Sequence, residues 1–119
     1  MSTEKIELGT KGEELAAAFL EELGFQIVKK NSRIGHSDID ILAMDGDTLV
    51  FVEVRTKLKV DRGMPEETLT LKKLKRMRKT AEYYIAVNHV ESLARLDAVC
   101  IVLDASDRIK HLKHYVGVG

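Results

Sequence analysis

The chain has 119 residues and a mass of 13.4 kDa, and its 19 Lys and Arg residues balance 19 Asp and Glu residues. Hydrophobic residues make up 45% of the composition, which excludes an intrinsically disordered chain. The single cysteine, Cys100, excludes an internal disulfide and a cysteine-based zinc site. Because no apolar run is long enough for a membrane span and the start is too polar for a signal peptide, we expect one soluble, cytoplasmic domain over residues 1–119, with no membrane partner.

The first predicted element is a helix over residues 10–23. Its apolar residues recur at helical spacing, and Gly24 is typical of a helix end. Thr10 and Glu13 have the spacing of a capping box, which places the predicted start of this helix at Thr10. Two roles therefore stay open for Glu13, which either caps the helix or contacts a metal or water.

Three strands are predicted next, over residues 25–30, 38–44 and 48–57. A turn-rich segment, residues 31–37, separates the first two, and the turn 45–47 separates the second and third. The second strand alternates apolar and polar residues, and the third is rich in β-branched residues. The turn chemistry and the short spacing predict that the second and third strands form a hairpin.

A second helix is predicted to begin after a cap at Thr68 or Thr70, with an apolar stripe over residues 71–85. Two further strands are predicted over residues 96–103 and 109–116. The order is thus α-β-β-β-α-β with an additional strand. It predicts an α/β fold in which a mixed sheet is flanked by helices.

Two acidic residues, Asp40 and Glu53, lie in the most apolar part of the chain, on the two strands of the predicted hairpin. If Gly46 and Asp47 form its loop, Asp40 lies directly opposite Glu53; if Asp45 and Gly46 form it, Asp40 reaches Glu53 diagonally. Both registers place the two carboxylates on one face, whereas a three-residue loop would separate them. Opposed Cβ atoms are about 4.5–5.5 Å apart. Such a pair either shares a proton or binds a hard divalent cation, and it suits Mg²⁺.

Basic residues follow this acidic pair. Arg55 and Lys57 share the face of Glu53, and residues 55–79 hold ten Lys or Arg residues against three Asp or Glu residues. The helix from Leu71 carries most of them, at Lys72, Lys73, Lys75, Arg76, Arg78 and Lys79. This pattern predicts a site that binds and activates a phosphodiester. In the alternative interpretation, these residues only form solvated surface.

Four segments together carry a family resemblance: GTKGEELAAAFLEELGF, SDIDILA, LVFVEVRTK and RLDAV. They resemble the YraN-like family of predicted endonucleases, which is similar to archaeal Holliday junction resolvases within the PD-(D/E)xK nuclease superfamily. The resemblance covers nearly the whole chain. It implies an αβββαβ restriction-endonuclease-like core, DNA as the partner and a homodimer.

The resemblance also implies roles for individual residues. Asp40 corresponds to the first acid of the motif, Glu53 to the second, and Arg55 stands at the lysine position. Glu13 corresponds to an acid that often completes such a site, and Lys73 to a lysine of the second helix. Because arginine is effectively always protonated, Arg55 cannot act as a general base.

The first functional hypothesis is an endonuclease dependent on Mg²⁺ or Mn²⁺, with Asp40, Glu53 and Glu13 as metal ligands. Arg55, with Lys57, would stabilise the transition state. The predicted nucleic-acid contacts are Lys72, Lys73, Arg76 and Lys79. The alternatives are a module of the same fold that binds nucleic acid without cutting it, and a scaffold that binds a protein.

The remaining candidates have smaller predicted roles. Asp38, which shares the face of Asp40, is predicted to support the site from beside that residue. His36 is predicted to be an ordinary loop histidine. His111 and His114 lack acids or thiols nearby in sequence, so no zinc site is expected there.

Overall fold

The computed structural model describes residues 3–119, and the predicted order of helices and strands is confirmed in it. The elements are α1 (Thr3–Glu22), β1 (Gln26–Ile34), β2 (Ser37–Asp45), β3 (Thr48–Leu58), a 3₁₀ helix (Pro65–Thr68), α2 (Leu71–Val87), β4 (Ala94–Leu103) and β5 (Ile109–Tyr115). Across residues 3–119, no helix is long and apolar enough to cross a membrane.

The five strands form one mixed sheet in the spatial order β1-β2-β3-β4-β5. Neighbouring strands are antiparallel except β3 and β4, which are parallel. A parallel pair needs a long crossover connection, and the segment containing α2 supplies it. This topology places β3 at the centre of the sheet, where it pairs with β2 on one side and with β4 on the other.

Apolar residues pack on both faces of the sheet. Along β3, Val50 and Val52 face α1, whereas Leu49 and Phe51 face α2. The α1 layer contains Ala16, Leu20, Ile41, Val52 and Ile101. The α2 layer contains Leu42, Phe51, Met77, Ala81 and Leu96. The sheet is therefore flanked by one helix on each face, as predicted.

The start of α1 differs from the prediction. The helix begins at Thr3 rather than at Thr10, and the Thr10 hydroxyl donates a hydrogen bond to the carbonyl oxygen of Ile6 at 3.0 Å. Leu8 packs against the apolar layer under α1, which stabilises the additional turns. The prediction of a capping box at Thr10 was wrong, because a threonine hydroxyl can also donate a hydrogen bond to a backbone carbonyl group inside a helix. Glu13 therefore lies within the helix and caps nothing.

The hairpin of β1 and β2 is tighter than predicted. β1 continues to Ile34, which pairs with Ser37, so the connection is only Gly35 and His36. Gly35 has a φ of +61°, which glycine adopts without a steric penalty. Asn31 has a φ of +53° inside the strand, so a residue that is typical of turns occurs there without ending the pairing.

The cap of α2 is Thr70. Its Oγ accepts a hydrogen bond from the backbone N–H of Lys73 at 3.2 Å, whereas Thr68 ends the preceding 3₁₀ helix. This decides between the two caps that the sequence allowed. It also leaves the hydroxyl of Thr68 available for another contact.

Candidate active site

The β2–β3 hairpin has the first of the predicted registers. Asp45 pairs with Thr48, so Gly46 and Asp47 form the loop, and the ladder continues to the pair of Ile41 and Val52. The residues that follow this last pair on the two strands are Asp40 and Glu53, and Glu53 lies near enough to raise the pKa of Asp40. The candidate site therefore begins where the regular pairing of the two central strands ends.

At this point the Asp40 side chain, rather than a backbone carbonyl group, accepts a hydrogen bond from β3. Its Oδ2 accepts a hydrogen bond from the backbone N–H of Val54 at 2.8 Å. Burial, together with the nearby carboxyl groups of Glu53 and Glu13, raises the pKa of Asp40 to about 8 against the opposing effect of the Val54 hydrogen bond. A positive charge placed here would favour the ionised carboxylate.

Glu53 continues the series of β3 residues that face α2, and its side chain is only 7% exposed. Its Oε2 lies 3.2 Å from Nη1 of Arg55 and 3.2 Å from Nζ of Lys73. Moving a carboxylate out of water without a partner costs roughly several kcal/mol, so a buried carboxylate requires cationic partners such as these. Lys73 thus contacts Glu53 directly from α2, a contact that spacing along the chain does not predict.

The guanidinium of Arg55 has a second fixed contact. Its Nε donates to Oγ of Thr68 at 2.7 Å, and the Thr68 hydroxyl donates to the carbonyl oxygen of Pro65 at 2.6 Å. The sequence pattern indicated only a helix cap at Thr68. No spacing pattern links it to β3, because the contact joins two segments through the fold.

An open cleft of about 1360 Å³ lies over these residues. The predicted site residues that line it are Glu13, Asp38, Asp40, Glu53, Arg55, Lys57, Lys73 and Arg76. His36 lines it too, and Nζ of Lys57 donates to the carbonyl oxygen of Arg62 at 3.0 Å. Lys72 and Lys79 are exposed on α2 outside the lining. The fold therefore brings most of the predicted acids and bases to one concave surface.

Gly12 explains how Glu13 reaches this cleft. A Cβ atom at Gly12 would lie 1.8 Å from Oγ of Thr56 and 2.9 Å from its Cβ, far inside van der Waals contact. The absence of a side chain lets α1 approach β3 closely. The next residue, Glu13, then lies near enough to Asp40 to raise the pKa of that carboxyl group.

The chain is similar to known proteins over most of its length. A family model described as "Uncharacterised protein family UPF0102" matches residues 12–101, a range that contains the acids and bases of the cleft. The chain belongs to the UPF0102 family. This confirms the family membership that the sequence motifs predicted.

Several UPF0102 proteins are similar over most of their length. One from Dehalococcoides mccartyi is 36% identical over 119 residues, covering 98% of both chains. One from Chloroherpeton thalassium is 38% identical over 104 residues, 87% of this chain and 81% of the relative. One from Cytophaga hutchinsonii is 41% identical over 98 residues, 82% and 87% of the two chains.

Oxygen donors in the UPF0102 cleft fit a hard divalent cation. Within residues 3–119, no three Asp, Glu, His or Cys side chains already converge as a metal site. Mg²⁺, however, needs only one or two protein carboxylates, because water and phosphate oxygens complete its coordination. Asp40 and Glu53 are such a pair, and burial together with the negative charge of Glu53 and Glu13 raises the pKa of Asp40.

Each of the two C-terminal histidines has one acidic partner from a distant segment. Nε2 of His111 lies 3.2 Å from Oε2 of Glu66, and Nε2 of His114 lies 2.8 Å from Oδ2 of Asp97. Both acids come from distant segments, so spacing along the chain does not reveal these contacts. Cys100 is buried as an apolar residue, and burial raises the pKa of its thiol to about 12.

Proposed function

We propose that this UPF0102 protein is a metal-dependent endonuclease that hydrolyses phosphodiester bonds in branched or structured DNA. The observation that supports this most strongly is the pair of acids, Asp40 and Glu53, at the open end of the β2–β3 ladder in a cleft lined by cations. Family membership by itself assigns no activity, so the proposal depends on this geometry.

The carboxylates of Asp40 and Glu53 would hold Mg²⁺ or Mn²⁺, and Glu13 adds a third carboxylate beside Asp40. When bound, the cation supplies Lewis-acid polarisation of the scissile phosphate and lowers the pKa of water. Asp40, whose pKa is raised by burial and by the neighbouring carboxyl groups, would be ionised more readily beside such a charge. The Val54 N–H donates a hydrogen bond to Oδ2 of Asp40 and so helps to hold this carboxylate at the cleft.

Arg55 and Lys73 provide fixed positive charge at the same point. Both lie 3.2 Å from Oε2 of Glu53, and both line the cleft. A guanidinium cannot remove a proton at neutral pH, so Arg55 would act by stabilising charge that develops on the phosphate. Lys73 is the second cation within reach of that phosphate, and Lys57 lies further along the cleft.

The basic face of α2 would hold the nucleic-acid backbone. Lys73 and Arg76 line the cleft, and Lys72 and Lys79 extend the positive surface beyond it. Such contacts are made mainly to phosphates and release counterions. Affinity for DNA should therefore fall steeply as the salt concentration rises.

Cleavage assays test the proposal directly. Wild type is incubated with linear duplex, flap and four-way junction DNA, with Mg²⁺, Mn²⁺ or EDTA. We expect metal-dependent cleavage of at least one substrate, reduced about 100-fold or more in Asp40→Asn and Glu53→Gln. Asp47→Asn, an exposed acid in the β2–β3 turn, is the matched control and should cleave like wild type. Equal cleavage by all four proteins would exclude the site.

A module that binds DNA without cutting it is the second candidate. It is favoured by one observation, that Oε2 of Glu53 already has two cationic partners, Arg55 and Lys73. Salt-sensitive binding without cleavage, unchanged in Asp40→Asn, would support this alternative. Binding that depends on Asp40 and on Mn²⁺ would contradict it.

A further inference from the structure

The 3₁₀ helix Pro65–Thr68 connects the outer strand β5 to the candidate active site. Pro65 is buried, and the helix packs on β3 and β4. One end of this short element holds Arg55 through Thr68, and Glu66 near its other end contacts β5. The helix therefore lies between a cleft residue and a strand outside the cleft.

Glu66 attaches the 3₁₀ helix to β5. Its Oε2 accepts a hydrogen bond from the Tyr115 hydroxyl at 2.7 Å and lies 3.2 Å from Nε2 of His111. Burial opposes the charge of Glu66, but these hydrogen bonds outweigh it and hold the pKa of Glu66 below its usual range. A charged acceptor with two donors is a strong attachment for a four-residue element.

Thr68 has a hydroxyl group whose direction is determined by its neighbours. The hydroxyl has one proton, which it donates to the carbonyl oxygen of Pro65 at 2.6 Å. Its lone pairs therefore face Nε of Arg55 at 2.7 Å. Because the guanidinium is planar, contacts at Nε and at Nη1, which faces Glu53, together determine the direction of its other N–H groups.

We infer that Thr68 is a positioning residue that directs the Arg55 guanidinium toward the cleft, and that Glu66 holds Thr68 in place through Tyr115 and His111. The consequence for catalysis rests on the proposed nuclease function. The consequence for the geometry of Arg55 does not. The two are therefore measured separately.

The first measurement is the solvent exchange of the Arg55 Nε–H group, followed by ¹⁵N–¹H NMR of the whole protein and assigned with Arg55→Lys. In wild type the hydrogen bond to Thr68 slows exchange. We expect Thr68→Val, which removes the hydroxyl at nearly constant shape, to accelerate it about tenfold or more. Thr68→Ser keeps the hydroxyl and should restore slow exchange. Thr48→Val, at the opposite end of β3, is the control.

Tyr115→Phe tests the attachment through Glu66 without altering the cleft. It removes the hydroxyl that donates to Glu66, so exchange of the Arg55 Nε–H group should accelerate by a smaller factor than in Thr68→Val. Tyr83→Phe, which alters an exposed tyrosine on α2, should leave exchange unchanged. Exchange equal to wild type in Thr68→Val would overturn the inference, whatever the activity of the protein.

Kinetics then connect this geometry to the proposed reaction. With the best DNA substrate and Mn²⁺, Thr68→Val should lower kcat about 10- to 100-fold with little change in KM, and Thr68→Ser should recover most of it. Equal loss in the valine and serine variants would overturn a positioning role. If wild type cleaves no substrate, the proposed function fails, and the exchange measurement alone decides the role of Thr68.

Discussion

Among the acids of the cleft, Asp40 has a carboxylate whose ionised form is strongly disfavoured by its surroundings. It is largely removed from water, it lies beside Glu53 and Glu13, and the Val54 N–H donates a hydrogen bond to it. Glu53 differs, because Arg55 and Lys73 neutralise it. Because Glu53 has cationic partners and Asp40 lies beside other acids, the protonation of Asp40 should respond most to a bound cation.

The raised pKa of Asp40 predicts how stability depends on pH in the absence of metal. Burial, then Glu53 and Glu13, raise the pKa of Asp40 from 3.8 to about 8 in the folded protein. The folded state then holds more protons than the unfolded state between these values, so the free energy of unfolding falls as the pH rises through that window. Asp40→Asn should remove this slope and stabilise the protein at pH 8 by up to roughly 5 kcal/mol, the free-energy equivalent of a pKa difference of about four units.

Urea unfolding in EDTA across this pH range measures the effect. The control is Asp38→Asn, because Asp38 is exposed and forms only a 3.6 Å ion pair with Arg33. Its slope should match that of wild type. An Asp40→Asn variant that keeps the full slope would show that Asp40 is not the group responsible.

At the scale of elements, the approach of α1 to β3 depends on a single missing side chain. Gly12 leaves no room for a Cβ atom, whereas a Cβ atom at Gly9 would have no neighbour within 4 Å. Both residues lie in α1, where alanine is intrinsically more favourable than glycine. The two positions therefore form a matched pair within one helix.

Replacing each glycine with alanine should have opposite effects on stability. Gly9→Ala should raise the free energy of unfolding by about 1 kcal/mol, because it reduces the entropy of the unfolded chain without a clash. Gly12→Ala should lower it by about 1–3 kcal/mol, because α1 must move away from Thr56. Thermal and urea unfolding of both variants measure these changes. Equal effects would contradict the close approach of the helix.

Local patterns predicted the hairpin at the site but not the contacts made across the fold. The turn residues and the alternation of the strands limited the hairpin to two registers, each of which predicted Asp40 and Glu53 on one face, and the structure has the first of them. The contact of Lys73 with Glu53 could not, because it depends on how α2 packs on the sheet. The local pattern at Thr10 also gave a wrong prediction, because its hydroxyl donates a hydrogen bond within α1 instead of capping the helix.

At the scale of the whole molecule, a buried charged network joins segments far apart in sequence. Asp97 is fully buried, and its carboxylate accepts hydrogen bonds from Arg95 at 2.8 and 3.0 Å and from the Gly117 N–H at 3.1 Å. Arg95 also contacts Asp45, and the ring of His114 packs edge-on against Phe25. No local pattern predicted this network, because Asp97 lies inside an apolar run and most of its partners come from other segments.

Asp97→Asn should destabilise the protein without affecting the cleft. Burial opposes the charge of Asp97, but Arg95, Gly117 and His114 together lower the pKa of the carboxylate, so the native network depends on its charge. We expect a loss of about 3 kcal/mol in the free energy of unfolding. The exposed pair of Arg33 and Asp38 should contribute less than about 1 kcal/mol. A loss that small in Asp97→Asn would contradict the structural role of the network.

The central claim is that Asp40 and Glu53 together bind one divalent cation. Calorimetric titration of Mn²⁺ into metal-free protein tests it without any nucleic-acid substrate. Wild type and the control Asp47→Asn should bind about one Mn²⁺ per chain, and both Asp40→Asn and Glu53→Gln should lose that binding. Binding of Mn²⁺ that is unchanged in both variants would contradict the claim.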